Sequence, residues 1–498
     1  MDTVFYPNTD DQRQSVKRIC IIGAGPAGLA ALKVVLEASQ YKAGIWQPVV
    51  FEARESLGGS VNPEKPDVPP ATPLYDALTT NLPHPVMSYS DFPFPPSTPV
   101  FPTANVVLKY LEAYADHFNL RRHILFNNPV LSVDWSSDSH KWIVKSQSIL
   151  IEFDLVMICN GHYNVPRYPT TSGLAAWLNS GRASHSMWYR HPISKHGKTV
   201  IVVGAGPSGN DITAELLSTG HTVIHSQSGA TRLDKGDLKL RGRIKQYEQD
   251  GAVTFEDGSK ETGVDHCILA TGYEYTYPFL SSDILNPSYT PPIPPLPLTL
   301  HNSTFNVFPL AQHIWPIQST QPYPPTSLAF LGLLFRVSPF PLVEVQAKAV
   351  LTAFAHPSHL DLTQEAVEVM NRYQELRGTL WGASGDIDEV QGISKAWHRF
   401  EAQQQYDYRD HLSMFIESAD PFPDQPIRVP SWEREMYDKK NILRATWVAL
   451  EKSGEAEDWV RGVGEGGVEE WVDLLRKLLK RGEEGQQPEV PELETAKL

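Results

Sequence analysis

Two short apolar runs organise this chain, each passing straight into a glycine-rich turn and then into a helix-forming stretch. Residues 18–22 (RICII) read as a buried strand, followed by Gly23-Ala24-Gly25-Pro26-Ala27-Gly28 and then by LAALKVVLEA, which has helical composition. A second apolar strand, residues 49–51, ends at Glu52, and the whole predicts a β-α-β unit of about 35 residues. The succession returns with the strand 199–203 (TVIVV), the turn Gly204-Ala205-Gly206-Pro207-Ser208-Gly209, a helix over 210–217 and a strand over 222–225. The turns begin 181 residues apart, which marks a repeated module and not a solenoid period.

Beyond residue 338 the helical period takes over. Helices are expected over 343–354, 363–376 and 468–479, the last with apolar residues at 468, 471, 472, 475, 478 and 479. The core-facing reading of that stripe outweighs a partner or membrane helix. The 41 prolines gather at 63–73, 83–102 and 291–297, which predicts extended coil in place of helix or sheet interior. The third cluster fits a PxxP ligand but reads better as a stiff connector. Residues 1–17 are a polar extension, and the Glu/Gln/Pro-rich tail 481–498 is expected to be disordered.

The 498 residues give room for several domains. With 43 basic and 58 acidic residues the net charge is −15, which argues against nucleic acid and anionic membrane surfaces as partners. No apolar run reaches a membrane span, and the first residues lack the basic start and apolar block of a signal peptide. A cytoplasmic setting follows, with a peroxisomal alternative because the final Ala496-Lys497-Leu498 is one substitution from Ser-Lys-Leu. The competing reading is an accidental end to an acidic tail.

The chemistry lies in the turns. Gly23 permits the tight turn, Gly25 lets backbone approach a pyrophosphate, and Gly28 lets helix and strand pack closely. The helix start offers unpaired N–H groups to phosphate. Glu52, 24 residues beyond Gly28, suits the two hydroxyls of an unphosphorylated ribose, as in FAD or NAD. The second unit has no acid there. His225, Ser226, Gln227 and Ser228 are followed by Arg232 and Lys235, which favours NADP(H), although either cation reads equally as a solvated surface charge. Cys20, Cys159 and Cys267 are too scattered for a disulfide framework or a redox pair. Hydride passed from nicotinamide to flavin must therefore go on to O₂ or a diffusible acceptor. No metal is expected: His221 and His225 are four apart but span a turn and a strand.

Residues 16–350 resemble the flavin-containing monooxygenases, the class B flavoprotein monooxygenases. The resemblance is carried by Glu52 with Gly58-Gly59 (Ser60 standing where Trp is usual), and by Leu78-Thr79-Thr80-Asn81-Leu82-Pro83 with Met87 and Phe92-Pro93-Phe94-Pro95. It continues in Cys159-Asn160-Gly161-His162 with Pro166, in Ala270-Thr271-Gly272-Tyr273 and in Pro341-Leu342-Val343-Glu344-Val345-Gln346. Residues 181–189 fit the fingerprint FxGxxxHxxxY apart from Asn179 at the Phe position. Baeyer–Villiger relatives carry Trp where Tyr189 stands, so the spacing favours the heteroatom-oxygenating branch.

The resemblance implies an α/β fold with two Rossmann-like domains. An FAD domain (18–179 and 286–480, with a helical C-terminal part) would hold an inserted NADPH domain (180–285). It implies that NADPH reduces FAD, that O₂ then forms a C4a-hydroperoxyflavin protected by NADP⁺, and that a soft sulfur or nitrogen of a small molecule takes the distal oxygen. Asn81 would be the catalytic side chain at the flavin edge, its competing reading being a loop cap. The expected cofactor set is Gly23, Gly25, Pro26, Ala27, Gly28, Glu52, Ser60, Val61, Thr80, Asn81, Leu82, Gly204, Gly206, Ser208, Gly209, Asn210, Asp211, Ser226, Arg232, Gly272 and Gln346. His185, His162, Tyr163 and Tyr273 are expected to orient or support. The chain lacks the apolar C-terminal anchor of membrane-bound relatives, so a soluble protein is expected. Alternatives are a Baeyer–Villiger enzyme acting on a ketone, an NADPH oxidase releasing H₂O₂, and a non-catalytic scaffold that keeps the fold.

Overall fold

The computed structural model describes residues 16–58, 73–291, 293–318, 320–381, 389–419 and 428–485. Its frame is two parallel sheets. The first has five strands in the order Leu328–Phe330, Leu155–Ile158, Lys17–Ile22, Trp46–Phe51 and Ile124–Leu125. The second has six, in the order Leu233–Lys235, Leu238–Arg241, Thr222–Ser226, Thr199–Val203, His266–Leu269 and Ala183–His185, with only the outermost hairpin antiparallel.

Side-chain alternation divides each central strand between two cores. On Lys17–Ile22, Ile19 and Ile21 face a helical layer that includes Leu29, Val350 and Leu475, while Cys20 and Ile22 face Val144, Phe153 and Leu310. A parallel sheet buried on both faces accounts for the continuous apolar runs that stand out in the sequence. In the second sheet Val200 and Val202 pack with Ile212 and Leu216 of the helix Pro207–Ser218, and Ile201 packs on the other face with Phe255 and Trp177. Leu174 and Trp177, on the helix Leu174–Asn179, join this second core, whereas Leu280, Ile284 and Leu285 pack in the first.

The helix Pro26–Glu37 lies against the helix Pro339–Ala355, and a C-terminal lobe built on Lys440–Ser453 and Val468–Gly485 covers the segment 79–102. The last helix runs four residues past Arg481, which binds Glu455 at 3.0 Å, so helix extends into the stretch expected to be disordered. The proline-rich segments are not all extended coil. His84–Met87 forms one helical turn after Pro83, with Pro85 in the first turn, where its missing N–H costs nothing. The PxxP stretch is anchored in part, with Pro291, Pro294 and Pro295 exposed. Ile293 and Pro297 are buried, Ile293 among Phe308, Tyr373 and Trp397. Among the described residues no helix is long and apolar enough to cross a membrane. Ser60, Val61 and the C-terminal tripeptide lie outside the described residues.

Candidate functional site

Both glycine turns sit at the carboxyl ends of central strands, and their three glycines do different work. Gly23 has φ +101°, and a Cβ there would stand 2.6 Å from the Cys159 carbonyl oxygen; a Cβ on Gly28 would stand 1.8 Å from the Gly23 oxygen. At Gly25 the same atom meets nothing within 4 Å. The second turn repeats the arrangement: Gly204 at φ +115° would place a Cβ 2.3 Å from Ala270 oxygen, Gly209 1.9 Å from Gly204 oxygen, and Gly206 in open space. The outer glycines are thus required by packing, and the middle one leaves a backbone-lined opening. Each opening lies at a helix start whose N-cap (Gly25 or Gly206) makes no side-chain cap and whose first turn holds no acid. Unpaired N–H groups beside a space free of side chains are what a pyrophosphate needs. The donor sets therefore fit two dinucleotides.

Glu52 follows the strand Trp46–Phe51 and is half-buried. Its carboxylate accepts from Ala24 N at 2.7 Å and Arg54 N at 2.9 Å, which fixes it at the mouth of the first turn. Pro26 and Ala27 open the helix. The Pro26 oxygen accepts from Tyr89 at 2.7 Å, and Ala27 lies beneath Gly332. Gln346 is wholly buried: its Oε1 accepts from Gly332 N at 3.0 Å and its Nε2 donates to Tyr408 at 2.9 Å, so it clamps that turn from behind.

Thr80, Asn81 and Leu82 lie in a loop tied beside residues 102–103 through the bridge Thr79–Thr103. Thr80 N donates to Pro102 oxygen at 3.0 Å and its hydroxyl to Leu82 oxygen at 2.7 Å, while the Leu82 side chain is buried. Asn81 is exposed, and no described residue bonds its amide. This amide is held by a pinned loop yet left uncommitted, unlike a loop cap.

In the second unit Ser208, Asn210 and Asp211 begin the helix. Asn210 donates to Ala205 oxygen at 3.3 Å, and Asp211 accepts from Tyr75 at 2.6 Å. The join between the units is tied by Gly272, whose oxygen accepts from Arg167 N at 2.9 Å and lies 3.0 Å from His185 Nε2. Because His185 Nδ1 accepts from Met187 N at 3.1 Å, the ring proton sits on Nε2 and is given to Gly272. Burial pushes this imidazole down to about 4, so it is a neutral brace and no proton donor near neutrality. Tyr189 donates to Glu215 on the Pro207–Ser218 helix at 2.6 Å, so the fingerprint segment fastens strand to helix.

The end of the Thr222–Ser226 strand departs most from what the residues alone suggest. Ser226 is buried and donates to Gly242 oxygen at 2.8 Å. Arg232 lies out among acids: Asp234 is held low first by Arg241, and Asp257 by Ser259, with Arg232 a smaller contributor to both. The cation at the strand end is Arg243, whose Nε donates to Ser228 at 2.8 Å. It arrives there because Leu238–Arg241 runs parallel to Thr222–Ser226, Arg241 opposite Ser226. Lys395 lies in the same field, its ammonium pushed down by burial and then by Arg167 and Arg243. A second side chain that sequence reasoning misses is Arg444, whose Nη2 stands 3.7 Å from Asp211 and 3.5 Å from the Thr79 hydroxyl. No local pattern announces either arginine; both reach the site through strand pairing or lobe packing.

Similarity to known proteins agrees with this geometry. The chain matches the flavin-binding monooxygenase-like family over residues 16–235 and 230–392. It is 31% identical over 405 residues to flavin-containing monooxygenase FMO GS-OX-like 9 of Arabidopsis thaliana, spanning 74% of this chain and 83% of that protein. It is 27% identical over 449 residues to dimethylaniline monooxygenase (N-oxide-forming) 2 of Macaca mulatta, spanning 74% and 79%. Among solved structures, S-allyl-L-cysteine S-oxygenase from Allium sativum superposes with a TM-score of 0.68 at 25% identity, covering 94% of this chain and 99% of that one. With the family match spanning most of the chain and a relative 31% identical over 74% of it, the chain belongs to the flavin-binding monooxygenase-like family.

Proposed function

We propose that this monooxygenase holds FAD at the Gly23–Gly28 turn and NADPH at the Gly204–Gly209 turn, and uses O₂ to oxygenate a soft sulfur or amine nitrogen of a small molecule. The carrying observation is the pair of matching turns with open middle glycines, together with an exposed Asn81 whose amide no described residue bonds. Glu52 would take the ribose hydroxyls of FAD, and Arg243 with Ser228 the 2′-phosphate of NADPH. Gln346 would support the flavin side by holding Gly332.

The flavin supplies the hydride and oxygen chemistry when bound. The chain's own task is to orient and to dry. Backbone N–H groups at the two helix starts would hold the phosphates, the exposed Asn81 amide would donate a hydrogen bond at the reacting edge, and His185 braces Gly272 without offering a proton. Sulfur and nitrogen as acceptors are supported by the S-oxygenase and N-oxide-forming names of the similar proteins.

The test is stopped-flow absorbance of NADPH-reduced protein mixed with O₂, followed by product analysis. A transient that decays faster on adding a thioether or amine, with sulfoxide or N-oxide formed per NADPH, is the expected result. An ester from a ketone would move the protein to the Baeyer–Villiger branch. Immediate reoxidation with stoichiometric H₂O₂ would make it an oxidase, and no bound flavin would leave a scaffold.

A further inference from the structure

The lobe formed by the helices Lys440–Ser453 and Val468–Gly485 lies beyond residue 392, where the family match ends. It grips the Asn81-bearing segment at three places. Trp471 meets the His84 ring edge-on at 4.3 Å between centroids. Gly462 N donates to the Ser97 hydroxyl at 2.9 Å, and Ser97 N to Val463 oxygen at 3.0 Å. Arg444 stands 3.4 Å from the Thr80 oxygen and 3.5 Å from the Thr79 hydroxyl.

Arg444 does one thing more. Its guanidinium is 3.7 Å from Asp211 Oδ1, on the helix that opens at the second glycine turn. The other Asp211 oxygen accepts from Tyr75 at 2.6 Å, and Tyr75 immediately precedes the Asn81 loop. One planar cation is therefore set among acceptors from the first unit's loop and the second unit's helix, while its own backbone belongs to the lobe.

We propose that Arg444 is a positioning residue, the clip through which the C-terminal lobe holds the Asn81 loop and the Asp211 helix at one spacing. This rests on the FAD and NADPH assignment above. Each contact is long, and the Arg444 side chain is 30% exposed, so its contribution to stability is small. Its effect belongs to steps that depend on distance, where a displacement of about 1 Å costs about a hundredfold in rate. A lysine supplies the charge toward Asp211 but not the fork that also reaches Thr79 and Thr80.

The experiment compares wild type, Arg444→Gln, Arg444→Lys, Asp211→Asn and the Arg444→Gln/Asp211→Asn double variant. FAD content and melting temperature are measured first, then NADP⁺ affinity by calorimetry, then the anaerobic rate of flavin bleaching by NADPH. Arg444→Gln is expected to keep its FAD and melting temperature. It should weaken NADP⁺ by about threefold or more and slow bleaching by about tenfold. Arg444→Lys should recover part of both losses, and the double variant should be no worse than Asp211→Asn alone. Wild-type NADP⁺ affinity and bleaching in Arg444→Gln, or losses that multiply in the double variant, would overturn the clip while leaving the functional reading intact. If Arg444→Gln fails to hold FAD, the same cycle is run with Arg444→Lys and judged by the same rule. Wild-type protein that binds FAD but is not bleached by NADPH would instead overturn the functional reading, and the clip with it.

Discussion

At the scale of single residues, the glycines of one motif separate into packing and binding roles that substitution can tell apart. Gly28→Ala drives a methyl into the Gly23 carbonyl and should destabilise the fold by about 3 kcal/mol or more, read by chemical denaturation. Gly25→Ala meets open space, so it should fold with an unchanged melting temperature and lose FAD affinity by about tenfold or more, read by flavin titration. Equal stability loss in both would refute the division. Arg243 offers a second contrast. Arg243→Gln should weaken adenosine 2′,5′-bisphosphate by about tenfold to a hundredfold, the worth of a charge-assisted phosphate contact. Its affinity for 5′-AMP should hardly move, and Arg232→Gln should change neither. The roles of the outer glycines are legible from the spacing alone. Arg243 is not, because it lies 15 residues beyond Ser228 and is brought there by a neighbouring strand.

At the scale of elements, the helices Pro26–Glu37 and Pro339–Ala355 are locked by charge inside an apolar seam. Lys33 is 1% exposed and reaches Glu37 and Asp91 at 3.0 Å and the buried Glu344 at 3.8 Å. Burial works against its ammonium, but Glu344 and Glu37 outweigh it and hold the group above its ordinary value. Glu344 is itself pushed up by burial, against the opposing pull of Lys33 and a 2.7 Å bond from Ser90 N. Lys33→Met strands the carboxylate and should cost about 3–5 kcal/mol in denaturant unfolding. Lys33→Met/Glu344→Leu should recover most of it; a double variant as unstable as the single would show that packing, not charge, holds the seam. Both helices are visible in the chain's composition, yet a lone lysine in LAALKVVLEA carries no sign of its partner more than 300 residues away.

At the scale of the whole molecule, acid sensitivity follows from histidines enclosed as neutral rings. Burial pushes His84 down to about 3 and His162, His185 and His266 to about 4, from an ordinary value of 6.5. The folded form refuses protons that the unfolded chain accepts. Stability is therefore full above about pH 6.5 and is lost as pH falls toward 4, at about 1.4 kcal/mol per pH unit for each ring. Urea unfolding at pH 7.5, 6.5 and 5.5 should show this steepening. His84→Phe, which keeps the ring contacts to Phe94 and Trp471, should reduce the slope by about one proton. A slope unchanged between pH 6.5 and 5.5 would contradict it.

The chain's own pattern determined the two β-α-β units, their glycine turns and the helical C-terminal third, because glycine spacing, strand hydrophobicity and helical period are local properties. The tertiary structure decided the rest. The Asn81 amide is exposed, with no described residue bonding it, because a loop pinned to Pro102 holds it in the open, and Ser226 is spent on Gly242 while Arg243 takes the strand end. Arg444 joins the lobe to both units because folding, not spacing, brings Thr80, Asp211 and residue 444 within reach of one guanidinium. Contacts of that kind depend on how sheets and helices stack, and no window of sequence contains them.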